Sequence, residues 1–376
     1  QLEQEDGFKK LSCTIRSQIK QSVKLYSEFI NTPVEEVLDD RHHKYRVLSL
    51  FSNIGVAEAY LKEMGIDVVV ANEIIERRAI LYSKIYPDTH MICGDITNNN
   101  IFNKIIEESK DLAVNVIMAT PPCQGMSTVG QKLEDDIRNR LICQVIDAVI
   151  EINPKYILIE NVPSFLSTEI EVEGKKELIP ELLKSKLGSK YCIEENVIDT
   201  KYYSVPQTRE RAIVLMTRKD QTFKWVIPNQ DDKIITMRDV IGDLPKLDPF
   251  ITDVDEKEFL KIVPHYYERK IAAEKISKWH IPPHHIKRQV VAMQHTPTGC
   301  TAFDNELFYP KKANGEAVKG FRNTYKRQNW DTPAYTVTMD NRKISSQNNV
   351  HPGALEYIDE NGEGIYSDAR ALTLYE

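Results

Sequence analysis

The apolar runs between residues 46 and 217 are short, and segments with helical periodicity separate them. Strands are predicted at residues 47–51, 68–71, 91–93, 114–119, 156–159 and 212–216, and helices at residues 56–64, 76–85 and 141–150. Strands and helices that alternate at this spacing are typical of a doubly wound, mostly parallel sheet. The predicted fold class is therefore α/β, with a Rossmann-like sheet and a second, smaller and irregular domain.

Two chemically distinctive side chains directly follow two of these strands. Pro121, Pro122 and Cys123 come after the run at residues 114–119, and Glu160 ends the run that begins at Tyr156. Open α/β sheets place their chemistry at the carboxyl edge, so a thiol and a carboxyl are expected at one edge of one sheet. This pair suits nucleophilic attack on an electron-poor ring that has an acid beside it.

Composition indicates an ordinary soluble protein of 376 residues, with 41% hydrophobic residues, 28% charged residues and a net charge of -7. No apolar run approaches the roughly 18–20 residues of a membrane span. The six cysteines show no paired spacing and no Cys-x-x-Cys, so a disulfide framework and a zinc site are not expected. A reducing, cytoplasmic location fits this cysteine usage best.

Changes in composition divide the chain into four stretches. Residues 1–44 are polar, with apolar positions at helical spacing, and predict a helical extension. Residues 45–220 carry the alternating pattern. Alternation ends near residue 220, and residues 266–327 hold 12 Lys and Arg against 5 Asp and Glu, which gives 12 − 5 = +7 inside an acidic protein. Residues 221–329 are therefore assigned to the second domain, and residues 330–376 to a return to the first.

Taken in order, five segments resemble motifs of the bacterial-type DNA (cytosine-5)-methyltransferases. They are Phe51–Gly55, Pro122–Gln124, Glu160–Val162, Gln207–Arg211 and Arg370–Glu376, the last of which resembles an Arg-x-Leu-Thr-x-x-Glu helix. The likeness spans residues 46–217 and 330–376, and five motifs in one order are far more specific than any one alone. The resemblance implies a DNA methyltransferase, with residues 221–329 as its target-recognition domain, as in the modification enzyme of a restriction-modification system.

The resemblance also implies the catalytic residues. Cys123 would add to C6 of cytosine, and a protonated Glu160, its pKa raised by burial, would share a proton with N3. Arg211 would reach the base near O2, and Arg209 would support the backbone phosphate or the loop. Two arginines spaced by two share a face in a regular strand, although a bend in the loop would separate them.

The implied cofactor is S-adenosylmethionine. Its expected contacts are Phe51, Gly55, Glu73, Ile74, Asp95, Ile96, Pro122 and Leu141. Glu73 would hold the ribose hydroxyls and Asp95 the adenine amine, as acidic residues at strand ends do in nucleotide-binding sheets. The implied partner is double-stranded DNA, from which the target cytosine is flipped out. The expected DNA contacts are Gln124, Ser127, Lys287, Arg288, Arg322 and Arg327.

Three histidines, His280, His284 and His285, lie in the basic region. Phosphate contacts or a plain surface position are expected for them rather than a metal site.

Two features depart from the family pattern. Asn53 stands where the first motif usually has glycine, but Asn tolerates the left-handed conformation better than most residues. The family also carries a further cofactor-side segment after the helix that Arg370–Glu376 resembles. A continuation of the chain or a second subunit is expected to supply it.

Two other functions remain open from the sequence. One is a tRNA cytosine-5 methyltransferase of the same fold, and the other is a catalytically silent DNA-binding homologue. The long basic segment favours DNA as the substrate, because a module that reads bases needs that length. Cys123, Glu160 and Arg211 favour an active enzyme.

Overall fold

The computed structural model describes residues 45–122, 140–172, 174–338, 343–345 and 349–376. Two compact units divide the chain. The first runs to Ile198 and resumes over Glu210–Ile227, and the second comprises Asp199–Arg209 and Pro228–Glu376. Among the described residues, none of the helices combines the length and apolar composition needed to cross a bilayer.

The first unit is built on a seven-stranded sheet in the order β3-β2-β1-β4-β5-β9-β8. The bounds are β1 Tyr45–Leu50, β2 Ile66–Glu73, β3 His90–Cys93, β4 Val116–Ala119, β5 Tyr156–Asn161, β8 Tyr191–Asp199 and β9 Glu210–Arg218; a hairpin, β6 Glu169–Val172 and β7 Lys175–Leu178, lies apart. Strands β1 to β5 pair in parallel, and β9 runs antiparallel to β5. This arrangement confirms the predicted α/β class, and the strand order reverses direction at β1.

In the described part of this unit, four helices accompany the sheet: α1 Glu76–Ile85, α2 Asn99–Asp111, α3 Leu141–Ile152 and α4 Ile179–Leu187. One face of the sheet, including Leu48, Ile117 and Ile157, packs against apolar residues of α2, α3 and α4 to form the main core. The sequence predicted α1 with the observed bounds but missed α2. Asn98 caps α2 by accepting a hydrogen bond from Asn100 N at 2.9 Å, so the run of three asparagines is a helix start.

The predicted helix at residues 56–64 is not observed. The segment forms turns and a single 3-10 turn at Lys62–Met64, which ends at Gly65 with φ of 72°. Its apolar side chains are exposed: Val56 by 74%, Tyr60 by 71% and Met64 by 70%. A short helix is marginal unless it packs its apolar face, which explains why the sequence pattern alone was misleading here.

The second unit contains short elements around its own core. They are α5 Met237–Ile241, β10 Phe250–Ile251, α6 Glu256–Ile262, α7 Tyr266–Ile276, β11 His284–His285, α8 Lys287–Gln294, β12 Leu355–Ile358 and β13 Gly364–Tyr366. Aromatic residues such as Phe259, Tyr266 and Tyr325 pack with Val290 and Met293 in this core. Loops connect most elements, in agreement with the predicted irregular character.

The final segment, Arg370–Glu376, is not the helix that the sequence predicted. Arg370 is fully buried and donates to both carboxylate oxygens of Glu376, at 2.7 and 2.8 Å, and to Asp368 at 2.9 Å. These bonds close a compact turn, and Ala371 forms a bridge with Val350. Arg370 also donates to Leu247 O at 2.8 Å. Residues 330–376, which the sequence assigned to a return to the first domain, fall in the second unit.

Candidate active site

A cavity of about 360 Å³ lies at the carboxyl ends of β1, β2, β3 and β4. Its lining comprises Phe51, Asn53, Asn72, Glu73, Ile74, Ile75, Arg78, Gly94, Asp95, Ile96, Thr120, Pro122 and Leu141. Seven of the eight residues expected to contact a cofactor are in this set. The cavity therefore occupies the position at which open α/β sheets bind ligands, where the strand order reverses.

Gly55, the eighth expected residue, shapes the turn after β1. Its φ is +82°, and a Cβ atom there would lie 2.1 Å from the Tyr86 ring. Tyr86 Oη also donates to Gly55 O at 2.5 Å. Phe51 and Asn53 have positive φ values of 59° and 53°, so Asn53 adopts the left-handed conformation that its side chain tolerates.

Glu73 ends β2 and holds this turn against the start of α1. One carboxylate oxygen accepts from Asn53 N at 3.0 Å, and the other accepts from Ile75 N at 2.9 Å. Arg78 Nη1 lies 3.8 Å from the second oxygen. Glu73 is buried but lines the cavity, and each of its carboxylate oxygens can accept a further hydrogen bond. The sequence predicted Glu73 at this site but not its contacts with Asn53 N and Arg78.

Asp95 follows β3 and is exposed at the cavity. Its Oδ1 accepts from Thr97 N at 2.9 Å and from Thr97 Oγ1 at 2.8 Å, which fixes the orientation of the carboxylate. Ile74 is 60% exposed although it is apolar and lines the cavity. An exposed apolar side chain beside two carboxylates suits a ligand with both a planar ring and hydroxyl or amine donors.

The segment that precedes Cys123 is anchored on both sides. Thr120 Oγ1 donates to Phe51 O at 3.1 Å, and Asn161 Nδ2 donates to Pro121 O at 3.0 Å. Pro122 then lines the cavity. Cys123, Gln124 and Ser127 lie outside the described residues, so their predicted roles stay predictions. The anchors Thr120 and Asn161 were missed because a hydrogen bond to a backbone carbonyl leaves no pattern in the sequence.

Glu160 and Arg211 form an ion pair at the end of β5 and the start of β9. Arg211 Nε lies 2.8 Å from Glu160 Oε1, and the side chains are 19% and 32% exposed for Arg211 and Glu160 respectively. Antiparallel pairing of Glu160 with Ile213 and of Asn161 with Ala212 brings them together. Glu160 is thus a partly exposed carboxylate paired with Arg211, whereas the sequence analysis expected it to be buried.

Arg209 does not share the strand with Arg211. Strand β9 begins at Glu210, and Arg209 belongs to the second unit, where its backbone N donates to Asp199 Oδ1 at 3.0 Å. In the same unit, Gln207 Oε1 accepts from Val337 N at 2.8 Å. Of the two arginines, the structure places Arg211 beside Glu160, and the role of Arg209 stays a prediction.

The four basic residues expected to contact DNA differ sharply in their surroundings. Arg288 is exposed, whereas Lys287 pairs with Glu258 and Arg322 pairs with Asp304 at the surface. Arg327 is fully buried, and its guanidinium donates to the carbonyls of Met293, His351 and Asp368. Burial lowers the pKa of Arg327 to about 10. The expectation that Arg327 contacts DNA is therefore corrected, because it holds backbone segments of the second unit together.

Two of the three clustered histidines are also buried. His285 Nε2 accepts from Ala371 N at 3.0 Å, and His280 Nδ1 lies 3.1 Å from Thr373 Oγ1. Only His284 is exposed among the three. Buried His280 and His285 cannot contact phosphates, which corrects that expectation, and no metal-binding cluster occurs in the described parts of the chain.

Comparisons with known proteins agree with this geometry. The model of the C-5 cytosine-specific DNA methylase family matches residues 45–376. The Type II methyltransferase M1.HgaI of Avibacterium volantium is 40% identical over 88% of this chain and 85% of its own length. The Type II methyltransferase M.Eco47II of Escherichia coli is 31% identical over 64% of this chain and 53% of its own length.

Among solved structures, a DNA modification methyltransferase encoded within an Escherichia coli prophage has a TM-score of 0.54 and 18% identity, and covers 88% of this chain and 86% of that chain. At this identity the likeness shows the fold alone. The family match spans every described element of both units, including the strand ends that carry Glu73, Glu160 and Arg211. The chain therefore belongs to the C-5 cytosine-specific DNA methylase family.

Proposed function

We propose that this enzyme transfers a methyl group from S-adenosylmethionine to C5 of a flipped-out cytosine in double-stranded DNA. The observation that carries the proposal is that one cavity at the carboxyl ends of the strands is lined by Glu73, Asp95 and Pro122. Pro122 is the residue that directly precedes Cys123. The ion pair of Glu160 and Arg211 ends two neighbouring strands of the same sheet.

The cavity fits the proposed cofactor in size and in chemistry. Its volume of about 360 Å³ lies within the range of small-molecule sites. Glu73 would accept hydrogen bonds from the ribose hydroxyls, and Asp95 would accept one from the adenine amine. Phe51 and Ile74 supply apolar walls for the adenine ring. When bound, the cofactor supplies the methyl group that the activated C5 accepts.

The protein's own residues activate the base. The Cys123 thiolate forms a bond to C6, and the electron pair of the C5–C6 double bond becomes nucleophilic at C5. Negative charge develops on N3 and O2 of the ring. Arg211 would stabilise the charge at O2. Glu160, protonated and partly released from Arg211 when the base binds, would donate its proton to a hydrogen bond with N3 and accept one from the exocyclic amine. Loss of the C5 proton to a weak base then expels the thiolate.

The family relatives named as Type II methyltransferases support a role in a restriction-modification system, with the enzyme acting in the cytoplasm on the cell's own DNA. Four cysteines in the described residues are free, which fits that compartment. The second unit, with exposed Arg288 and many loops, is proposed to contact the duplex and read its bases.

The test is a methylation assay on purified protein with S-adenosylmethionine and genomic DNA, followed by bisulfite sequencing. We expect one cytosine within one recurring sequence to resist bisulfite conversion because it is methylated. Single-stranded tRNA serves as the control substrate. Methylation of tRNA with no product in DNA would assign the chain to the alternative substrate, and no product in either would indicate a silent homologue.

A further inference from the structure

The sheet of the first unit has a second face, opposite the one that packs against α2, α3 and α4. Val47, Val116, Met118 and Tyr156 form an apolar cluster on this face, with Trp225 packed against it. Among the described residues, no member of the cluster belongs to an α-helix. Parallel strands are normally buried on both faces by helices. The four cluster residues are at most 9% exposed, although the described residues supply no α-helix on this face.

A groove of about 360 Å³ runs across this face and is almost entirely apolar. The cluster residues form its floor. Its rim includes Met64 and Phe223, each of which is 70% exposed. Large exposed apolar side chains around an apolar floor indicate a surface that is covered by another segment.

A second cavity, of about 540 Å³, shares Leu61 and Ile66 with the groove and contains Glu58. Glu58 is only 2% exposed. One carboxylate oxygen accepts from Ser49 Oγ, while Oε2 has no hydrogen-bond partner among the described residues. A buried carboxylate oxygen normally has a donor. Two basic residues line the same cavity, but Arg46 Nε donates to Leu112 O and Lys62 Nζ donates to Asp88, so neither bonds Oε2.

Residues 1–44, which precede the first strand, contain apolar and basic positions that would complement this face and Glu58. The groove is lined by Tyr45, the first described residue, so residues 1–44 lead directly to it. Their apolar positions recur at helical spacing: Ile15, Ile19, Val23, Tyr26 and Ile30. Arg16, Lys20 and Lys24 follow the first three of these positions at the same spacing, and residues 7–27 contain no Asp or Glu. A helix would therefore carry basic side chains beside its apolar stripe.

The dimensions also agree. A helix over residues 15–30 would be about 24 Å long at 1.5 Å per residue. Four neighbouring strands at about 4.8 Å spacing extend over roughly 15 Å, so one helix covers them. Residues 31–44 span up to about 45 Å when extended, which is ample for the return to Tyr45.

We infer that residues 15–30 form an amphipathic helix that docks in this groove, with its apolar stripe on Met64 and Phe223 and a basic side chain directed to Glu58. The docked helix covers residues 56–64, the segment that follows the turn at Asn53 and Gly55.

Hydrogen exchange with mass spectrometry on the purified chain 1–376, without cofactor or DNA, tests the inference. We expect peptides within residues 15–30 to be protected in the unmodified protein. Phe223→Asp should increase their exchange at least about tenfold, since it places a carboxylate on the apolar rim. Val226→Asp is the matched control, because Val226 is 82% exposed and does not line the groove, and it should leave exchange unchanged.

Substitutions in the segment provide the reciprocal arm. Ile19→Asp with Val23→Asp should raise the exchange of strand β1 and of residues 56–64, whereas Ser17→Asp with Gln21→Asp, on the opposite side of the predicted helix, should not. All four positions precede the first described strand, so the sheet itself stays intact. Exchange of residues 15–30 at the unprotected rate in the unmodified protein would overturn the inference. Protection of residues 15–30 that is lost on dilution, together with a dimer that dissociates in sedimentation velocity, would also overturn the inference. In that case a second copy of the chain would fill the groove.

Discussion

Arg211 Nε lies 2.8 Å from Glu160 Oε1, and the two residues lie at the end of β5 and the start of β9, which are neighbouring antiparallel strands. A carboxylate and a guanidinium held together in this way can exchange some of their mutual contacts for a bound base. A planar guanidinium matches a developing oxyanion beside a ring nitrogen better than a point charge does. This relationship leads to the first prediction.

Arg211→Lys should reduce kcat by about 100-fold, because lysine keeps the charge but loses the planar donor geometry. The assay is methyl transfer to duplex DNA at saturating S-adenosylmethionine. Arg218→Lys is the matched control on the same strand, since Arg218 pairs with surface Asp220 at 2.7 Å and should tolerate the change. Equal activities of the two variants would remove Arg211 from the proposed mechanism.

Glu73→Gln should weaken S-adenosylmethionine binding about 10-fold or more, because the change removes the charge of an acceptor whose two oxygens already organise the turn. Isothermal titration calorimetry measures the dissociation constant. Glu76→Gln, at the exposed start of α1, should leave it unchanged. Unaltered affinity in the Glu73 variant would mean that the cofactor binds elsewhere.

Arg288→Gln and Arg327→Gln should have different effects, the first on DNA binding and the second on thermal stability. Arg288 is exposed, so its loss should weaken DNA binding and reduce the slope of log affinity against log salt concentration by about 1. Arg327 is buried and bonded to three carbonyls, so its loss should lower the thermal midpoint instead. An unchanged salt slope for Arg288→Gln would show that this part of the surface does not meet phosphates.

The second unit should lose stability as the pH falls from about 6.5 to 4. Burial lowers the pKa of both His285 and His351 to about 4 in the folded protein, whereas an unfolded histidine titrates near 6.5. Between these values the unfolded state binds more protons, so the free energy of unfolding decreases as pH decreases. Above pH 6.5 this stabilising contribution is fully present.

Thermal unfolding of the unmodified protein across this pH range measures the effect. His285→Gln keeps an acceptor for Ala371 N and removes one titrating group, so the pH dependence should become shallower. His284→Gln, at the exposed neighbouring position, should retain the dependence of the unmodified protein. A midpoint that does not change between pH 6.5 and 4 would contradict the assignment.

The sequence predicted the sheet edge well because strand ends carry their own signals. Glu73, Asp95 and Glu160 each follow an apolar run, and the parallel fold brings such ends together, so most cavity residues were identified. The sequence did not predict the pairing of Glu160 with Arg211, because the register between β5 and β9 depends on tertiary structure. The role of Arg327 was also missed, since a charged residue in a basic region resembles a phosphate contact until its burial is known.

Helices α1 and α3 were predicted close to their observed bounds, and each buries apolar side chains, such as Ala79 and Tyr82 in α1 and Val145 in α3. The pattern at residues 56–64 has the same periodicity but exposes Val56, Tyr60 and Met64. Residues 370–376 lack a helix because Arg370 and Glu376 bond to each other directly. In both segments long-range contacts, or their absence, outweigh local propensity.

The most direct test of the proposed mechanism concerns Cys123. A duplex that carries 5-fluorocytosine at the target position should trap the unmodified enzyme covalently in the presence of S-adenosylmethionine, because fluorine leaves no C5 proton for elimination. Cys143→Ser, which changes a free cysteine in α3, should form the same adduct. Cys123→Ser should bind the duplex but form no adduct and no methylated product. Methyl transfer by Cys123→Ser at a rate near that of the unmodified enzyme would contradict the mechanism.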